Sequence, residues 1–104
     1  MKTAKKIQLK SGYTKGFLPK ECNYKNYTML VAIANYSSNP FCSSSAEMLL
    51  DETCSIEQKE RYIKTCGGFM HAVATKDFAE AWNRADGSNR EALIEALKHN
   101  EIEL

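Results

Sequence analysis

Residues 26–36 read NYTMLVAIANY and contain the longest apolar run of the chain, the six residues from Met29 to Ala34. The stretch carries two patterns at once. Four apolar residues recur at i, i+3, i+4 and i+7, as on one helix face: Tyr27, Leu30, Val31 and Ala34. Three residues alternate as in a strand, two of them β-branched: Met29, Val31 and Ile33. We expect a helix that ends at Ser37-Ser38-Asn39-Pro40, and a strand is the open alternative.

Three further helices are expected in the middle of the chain. Ser43-Ser44-Ser45 is expected to open a short helix to about Glu52, because a serine cap with Glu47 three residues on forms a capping box. Ser55 is expected to cap the next helix, with Gln58 in the reciprocal position. Gly67-Gly68 should end or kink this helix, since two glycines in a helix interior cost roughly 2 kcal/mol. A separate helix is expected from Phe69.

The last third of the sequence predicts two amphipathic helices. The first begins at Asp77-Phe78 and ends at Asp86-Gly87, where the glycine suits a left-handed helix exit. Its apolar face is expected to lie in the core: Phe78, Ala81, Trp82 and Ala85. The second is expected to be capped by Ser88, with an apolar face formed by Leu93, Ile94 and Leu97.

The N-terminal residues 4–18 have the pattern of a β-hairpin. Ile7 and Leu9 alternate with polar residues, and Ser11-Gly12 is a turn signal. The fold class expected is therefore α+β, mainly α, with an N-terminal β-hairpin packed on four to five short helices. Residues 1–104 are expected to be a single domain, with 4–18 as a basic β-ribbon and 26–99 as the helical part.

Charge is segregated along the chain. The first 25 residues hold seven lysines and one acid, a net charge of +6, whereas the other 79 hold seven basic and twelve acidic side chains, a net charge of −5. Such asymmetry indicates either an acidic partner for the N-terminal end or internal pairing between the two parts. The sequence leaves both open.

Several classes of protein are excluded by what the sequence lacks. Its longest apolar run is far below the ~20 residues of a membrane helix, and no apolar region follows the N-terminal lysines as in a signal peptide. We therefore expect a cytoplasmic location and no membrane partner. The four cysteines are 20, 12 and 12 residues apart, without the close pairs of zinc sites, so reduced thiols and no metal or cofactor are expected. No glycine-rich phosphate-binding motif is present.

Cys66 and His71 are the candidate pair for a catalytic site. Cys66 precedes Gly67-Gly68 and His71 lies five residues on, so a thiolate pair is conceivable. Cys66, however, shares an apolar stripe with Ile63, Met70 and Val73, and the carboxyl end of a helix disfavours a thiolate. We expect no enzyme activity and no catalytic residues.

A non-enzymatic protein-binding module is the expected function, because a small chain with opposite charge at its two ends is suited to docking on a larger protein or protein complex. Small compact chains without catalytic motifs are common among phage and mobile-element proteins. By that analogy of size and style, we expect a small inhibitor of a host nucleic-acid-processing or defence complex. A homodimer through the ribbon edge is a further possibility.

The alternative is a single-strand nucleic-acid-binding protein, since lysines can follow phosphates while bases stack on aromatic rings. Both functions use the same candidate partner-binding residues of the N-terminal segment: Lys5, Lys6, Lys10, Tyr13, Lys15, Lys20, Tyr24, Lys25 and Tyr27.

Overall fold

The structure, a computed structural model, describes residues 18–99, which form six α-helices. In chain order the helices are α1 (Tyr24–Tyr36), α2 (Pro40–Leu50), α3 (Ile56–Thr65), α4 (Gly68–Thr75), α5 (Phe78–Arg84) and α6 (Gly87–Lys98). Helix α1 packs against α2, α6 and α4, while α5 and α3 both pack against α4.

The expected α+β class is wrong for this part of the chain, because residues 18–99 contain no strand and are all-α. They also form six helices, not four to five. The hairpin predicted over residues 4–18 lies outside the described residues except for Leu18, which is buried and in no strand. Helices from later in the chain surround α1 and cover the apolar core, so no sheet is required to bury it.

Helix α1 confirms the helical interpretation of residues 26–36. Asn23 and Asn26 form a capping box: the Asn23 side chain accepts from the Asn26 N–H at 3.1 Å, and the Asn26 side chain accepts from the Asn23 N–H at 2.9 Å. Every residue from 26 to 35 is buried. A helix enclosed on all sides has apolar residues around its whole circumference, so its sequence shows no continuous solvent-facing polar stripe that would distinguish it from a buried strand.

The start of α2 differs from the prediction. The helix begins at Pro40 because the Asn39 side chain accepts from the N–H groups of Phe41 at 3.0 Å and Cys42 at 3.3 Å. Proline at the first helical position sacrifices no intrahelical hydrogen bond. The serines expected to cap α2 therefore lie inside it, and Pro40 starts a helix where it was taken to end one.

The predicted limits of α3 and α4 are confirmed within a residue or two. Ser55 caps α3 by accepting from the Gln58 N–H at 3.1 Å. Helix α3 ends at Thr65, and α4 starts at Gly68, one residue before the position expected. The two glycines thus separate two helices.

The last two helices are both capped by aspartate. Asp77 accepts from the Glu80 N–H at 3.0 Å, which confirms the start of α5. Asp86 accepts from the Asn89 N–H at 3.0 Å, so the cap of α6 is Asp86 and the prediction of Ser88 is wrong. Gly87 is the first residue of α6 and does not form a left-handed exit from α5.

Buried polar side chains connect helices that are distant in sequence. The Asn26 amide donates to the carbonyl oxygens of Val73 at 3.0 Å and Lys76 at 2.7 Å, which ties the start of α1 to the end of α4. Ser37, after α1, donates to the Asn89 side chain of α6 at 2.7 Å. These contacts satisfy groups whose burial without a partner would be costly.

Candidate functional site

An apolar groove lies between α5 and α6. It has a volume of about 400 Å³ and is open to solvent. The groove is lined by four residues of α5 and two of α6: Phe78, Ala79, Trp82, Asn83, Ile94 and Leu97. Because α5 packs mainly on α4 and α6 mainly on α1, the apolar side chains between them are not fully covered.

The α5 wall of the groove is a pair of aromatic rings. Phe78 and Trp82 are four residues apart on one helix face, and their rings stack with centroids 6.1 Å apart and planes inclined by 19°. Ala81, between them in sequence, is fully buried and anchors α5 to the core. The rings therefore rest on a fixed helix while they remain only partly buried.

The α6 wall comes from a helix with two apolar surfaces. Ala92, Leu93 and Ala96 are fully buried against the core, whereas Ile94 retains 40% exposure. At about 100° per residue, these residues and Leu97 cover an arc of roughly 200° around α6. One core-facing stripe needs roughly half of that arc, so the remainder lines the groove.

Arg90 is a charged side chain held by contacts with Trp82, which lines the groove. Its guanidinium carbon lies 5.0 Å from the centroid of the Trp82 ring, and its Nε donates to the Trp82 carbonyl oxygen at 3.2 Å. A cation over an indole face is attracted by the ring quadrupole. Arg90 thus joins the two helices at the aromatic wall.

Two carboxylates on the same helices, Glu80 and Glu95, are already engaged. Glu80 pairs with Arg84 at 3.3 Å within α5. Glu95 lies 3.3 Å from Lys98 and 3.6 Å from His99. These pairs are largely exposed and add little stability, but they partly neutralise their own surroundings and leave the positive charge of Arg90 beside the groove.

The residues predicted as a partner site are only partly described. Lys5, Lys6, Lys10, Tyr13 and Lys15 lie outside the described residues. Lys20, Tyr24 and Lys25 are exposed at and before the start of α1. Tyr27 is 2% exposed, so its ring belongs to the core and is covered while the domain is folded. Three of the described members are therefore accessible to a partner.

The sequence did not single out the groove. Phe78 and Trp82 were expected in the core, and Ile94 and Leu97 on the core face of the last helix. The available signal was the width of the apolar arc on α6, which spans roughly 200° once the alanines are included and so exceeds one core-facing stripe: Ala92, Leu93, Ile94, Ala96 and Leu97. Nothing in the sequence placed Arg90 over Trp82, since that contact depends on how α5 and α6 are oriented.

The surroundings of Cys66 favour its protonated thiol form over the thiolate. Burial raises the pKa of Cys66, and its Sγ donates to the Ile63 carbonyl oxygen at 3.3 Å. Because the thiolate is the reactive form, both effects lower the nucleophilicity of this cysteine. The sulfur closes the last turn of α3, where Cys66 is the C-cap residue.

Within residues 18–99, no group of three or more histidine, cysteine or acidic side chains is arranged to hold a metal ion. All four cysteines of the chain fall in this range and are free thiols. None of the six described helices is both long and apolar enough to cross a bilayer.

In the comparisons with known proteins, no family model, no curated protein and no solved structure matches this chain.

Proposed function

We propose that this chain is a non-enzymatic protein-binding module and that its groove between α5 and α6 holds an apolar segment of a larger partner protein. The observation that carries the proposal is the half-buried pair of stacked rings, Phe78 and Trp82, facing Ile94 across an open groove. Tryptophan and other aromatic residues are enriched where proteins bind one another.

The shape of the groove favours a peptide segment. Its volume of about 400 Å³ can hold a few apolar side chains, and its opening to solvent lets the rest of a bound segment remain outside. Two helices form its walls, as in sites that bind the apolar face of a partner helix. Burying apolar surface there would contribute about 25 cal/mol for each Å² removed from water.

The finer expectation, a phage or mobile-element inhibitor of a host nucleic-acid-processing or defence complex, stays part of the proposal. It rests on the analogy of size and style, whereas the cytoplasmic location stays an expectation from the sequence patterns. The groove itself does not depend on either statement.

Site-specific photo-crosslinking in a lysate from the source cells tests the proposal. A benzophenone amino acid at Asn83, which lines the groove, should form an adduct with one partner protein at a defined position in that partner. The matched control carries the same group at Lys64, an exposed residue of α3 that does not line the groove, and should form no such adduct.

A second variant tests whether the groove causes the adduct. Ile94→Ser removes apolar surface from the groove at a half-exposed position, so the fold should persist while crosslinking from position 83 falls several-fold. Circular dichroism checks the fold. Equal adducts from positions 83 and 64, or crosslinking that Ile94→Ser leaves unchanged, would contradict the proposal.

A further inference from the structure

We infer that the segment bound in the groove carries an acidic side chain beside its apolar ones, and that Arg90 recognises the carboxylate. This inference rests on the proposed function and names the chemistry of the partner. The charge complementarity comes from one guanidinium group placed at the edge of an apolar site.

Contacts with Trp82 fix the position of the guanidinium group. The Nε–H bond to the Trp82 carbonyl oxygen is 3.2 Å long, and the guanidinium carbon lies 5.0 Å from the ring centroid. Within residues 18–99, the terminal nitrogens Nη1 and Nη2 of Arg90 form no hydrogen bond and no ion pair. The two nitrogens that best bind a carboxylate are therefore the two that the fold leaves free.

The acidic groups nearest in sequence do not neutralise Arg90. Asp86 uses its carboxylate to cap α6 and to accept from the Ser88 hydroxyl at 3.0 Å. Glu91 follows Arg90 directly and therefore projects about 100° away around the helix. Glu95 is engaged by Lys98 and His99. A carboxylate brought by a ligand would be the missing partner.

An amphipathic helix with an acidic residue fits these features. Apolar residues at i and i+4 can enter the space between Phe78 and Ile94, while an Asp or Glu about one turn away reaches Arg90. The Trp82 ring partly shields the bond between guanidinium and carboxylate from water. This bond should therefore contribute more to the free energy of binding than an exposed ion pair does.

A displayed library of helical peptides tests the inference without a known partner. Its members have apolar residues at i and i+4 and random residues elsewhere. Selection on the full chain should enrich peptides with Asp or Glu at a fixed distance from the apolar pair. Selection on Arg90→Gln should enrich the apolar pair alone. The matched control Arg61→Gln, at an exposed arginine of α3, should preserve the acidic preference.

Titration with an enriched peptide then measures the size of the effect. Trp82 is the only tryptophan of the chain and lines the groove, so its fluorescence reports binding directly. Replacing the acidic residue of the peptide by its amide should weaken binding about tenfold to wild type. The same replacement should have little effect on binding to Arg90→Gln.

The possible outcomes separate this inference from the proposed function. Peptides whose binding is lost in Ile94→Ser but which show no acidic preference would overturn the inference and leave the groove as a binding site. Absence of any peptide whose binding depends on Ile94 would overturn both. A concentration-dependent dimer in sedimentation, lost in Ile94→Ser, would make a second copy of this chain the occupant and would also overturn the inference.

Discussion

Lys59 is the one charged side chain that the described fold hides almost completely, with 1% of its surface exposed. Burial lowers its pKa, because a low-dielectric environment disfavours the charged ammonium group. Nearby groups act in the opposite direction, first Cys54 and Asp51 and then Cys22 and Glu52. Burial likewise raises the pKa of Cys22 to about 12, with a further contribution from Glu21. Burial is thus the largest effect on both side chains and disfavours the charged form of each.

The effect of pH on stability follows from the direction of the Lys59 shift. The folded chain releases this proton at a lower pH than the unfolded chain, whose lysine titrates near 10.5. Between the two pKa values the unfolded state binds more protons, so the contribution of Lys59 to the free energy of unfolding rises with pH. In urea unfolding from pH 7 to pH 10, wild type should become more stable relative to Lys59→Met.

A matched variant separates burial from charge. Lys64→Met removes an exposed lysine of the same helix, and its stability relative to wild type should hardly vary over this pH range. Each difference from wild type also cancels the titration of those cysteines and tyrosines that do not interact with the replaced lysine. If the free energies of unfolding of wild type and Lys59→Met change in parallel with pH, the ammonium group is solvated in the folded state and the prediction is wrong.

At the scale of helices, single amide side chains decide how elements begin and meet. Asn26 accepts one hydrogen bond at the start of α1 and donates two to the end of α4. Asn23, in contrast, acts at the same helix start through an oxygen that accepts from the Asn26 N–H. An aspartate can replace an acceptor but not a donor.

Asn26→Asp should therefore destabilise the fold strongly. The change removes both donors and places a carboxylate against the carbonyl oxygens of Val73 and Lys76, at a cost of roughly 2–4 kcal/mol in the free energy of unfolding. Asn23→Asp is the matched control and should change stability by less than about 0.5 kcal/mol, because aspartate caps helices as well as asparagine does. Similar unfolding midpoints for the two variants in urea would contradict this assignment.

Local signals in the sequence explain which helix limits could be predicted. Ser55 and Asp77 stand directly before amphipathic patterns, and both cap the expected helices. Asn39 and Asp86 were not predicted as helix caps because a better-known signal stands near each of them. Pro40 was interpreted as the end of a helix, and Ser88 was interpreted as the cap of the last helix. In each case the cap actually used lies just before the proline or glycine that begins the helix.

The candidate site was harder to predict, because it depends on angles between helices. The sequence correctly assigned Phe78 and Trp82 to one face of α5, but it gave no measure of how far α6 lies from that face. Ile94 is 40% exposed, whereas the preceding residue, Leu93, is fully buried, and this difference depends on how α6 is rotated against its neighbours. Such orientations are set by packing of α5 on α4 and α6 on α1, which no local pattern encodes.

At the scale of the whole molecule, charge bears on the nucleic-acid alternative. Residues 18–99 hold nine basic and eleven acidic side chains, a net charge of −2. Of the aromatic residues proposed for stacking that are described, Tyr24 is exposed and Tyr27 is covered. Most of the lysines proposed to contact phosphates precede residue 18.

Binding to single-stranded DNA should therefore be confined to low salt. A few lysine–phosphate contacts release few counterions, and an acidic body repels the strand, so binding measured by fluorescence anisotropy should be lost near 150 mM salt. The variant Lys5/Lys6/Lys10/Lys15→Glu should not bind even at low salt. Binding by wild type that persists at physiological salt and is lost in this variant would favour the nucleic-acid function instead.

The central position of α1 has a consequence for the newborn chain. This helix leaves the ribosome first among the six, yet α6, which covers part of it, is translated last. At about 5–20 residues per second, the 62 residues from Tyr36 to Lys98 require roughly three to twelve seconds. For that interval the most apolar segment of the protein lacks its final cover, so each nascent chain offers chaperones a binding site that the finished molecule no longer has.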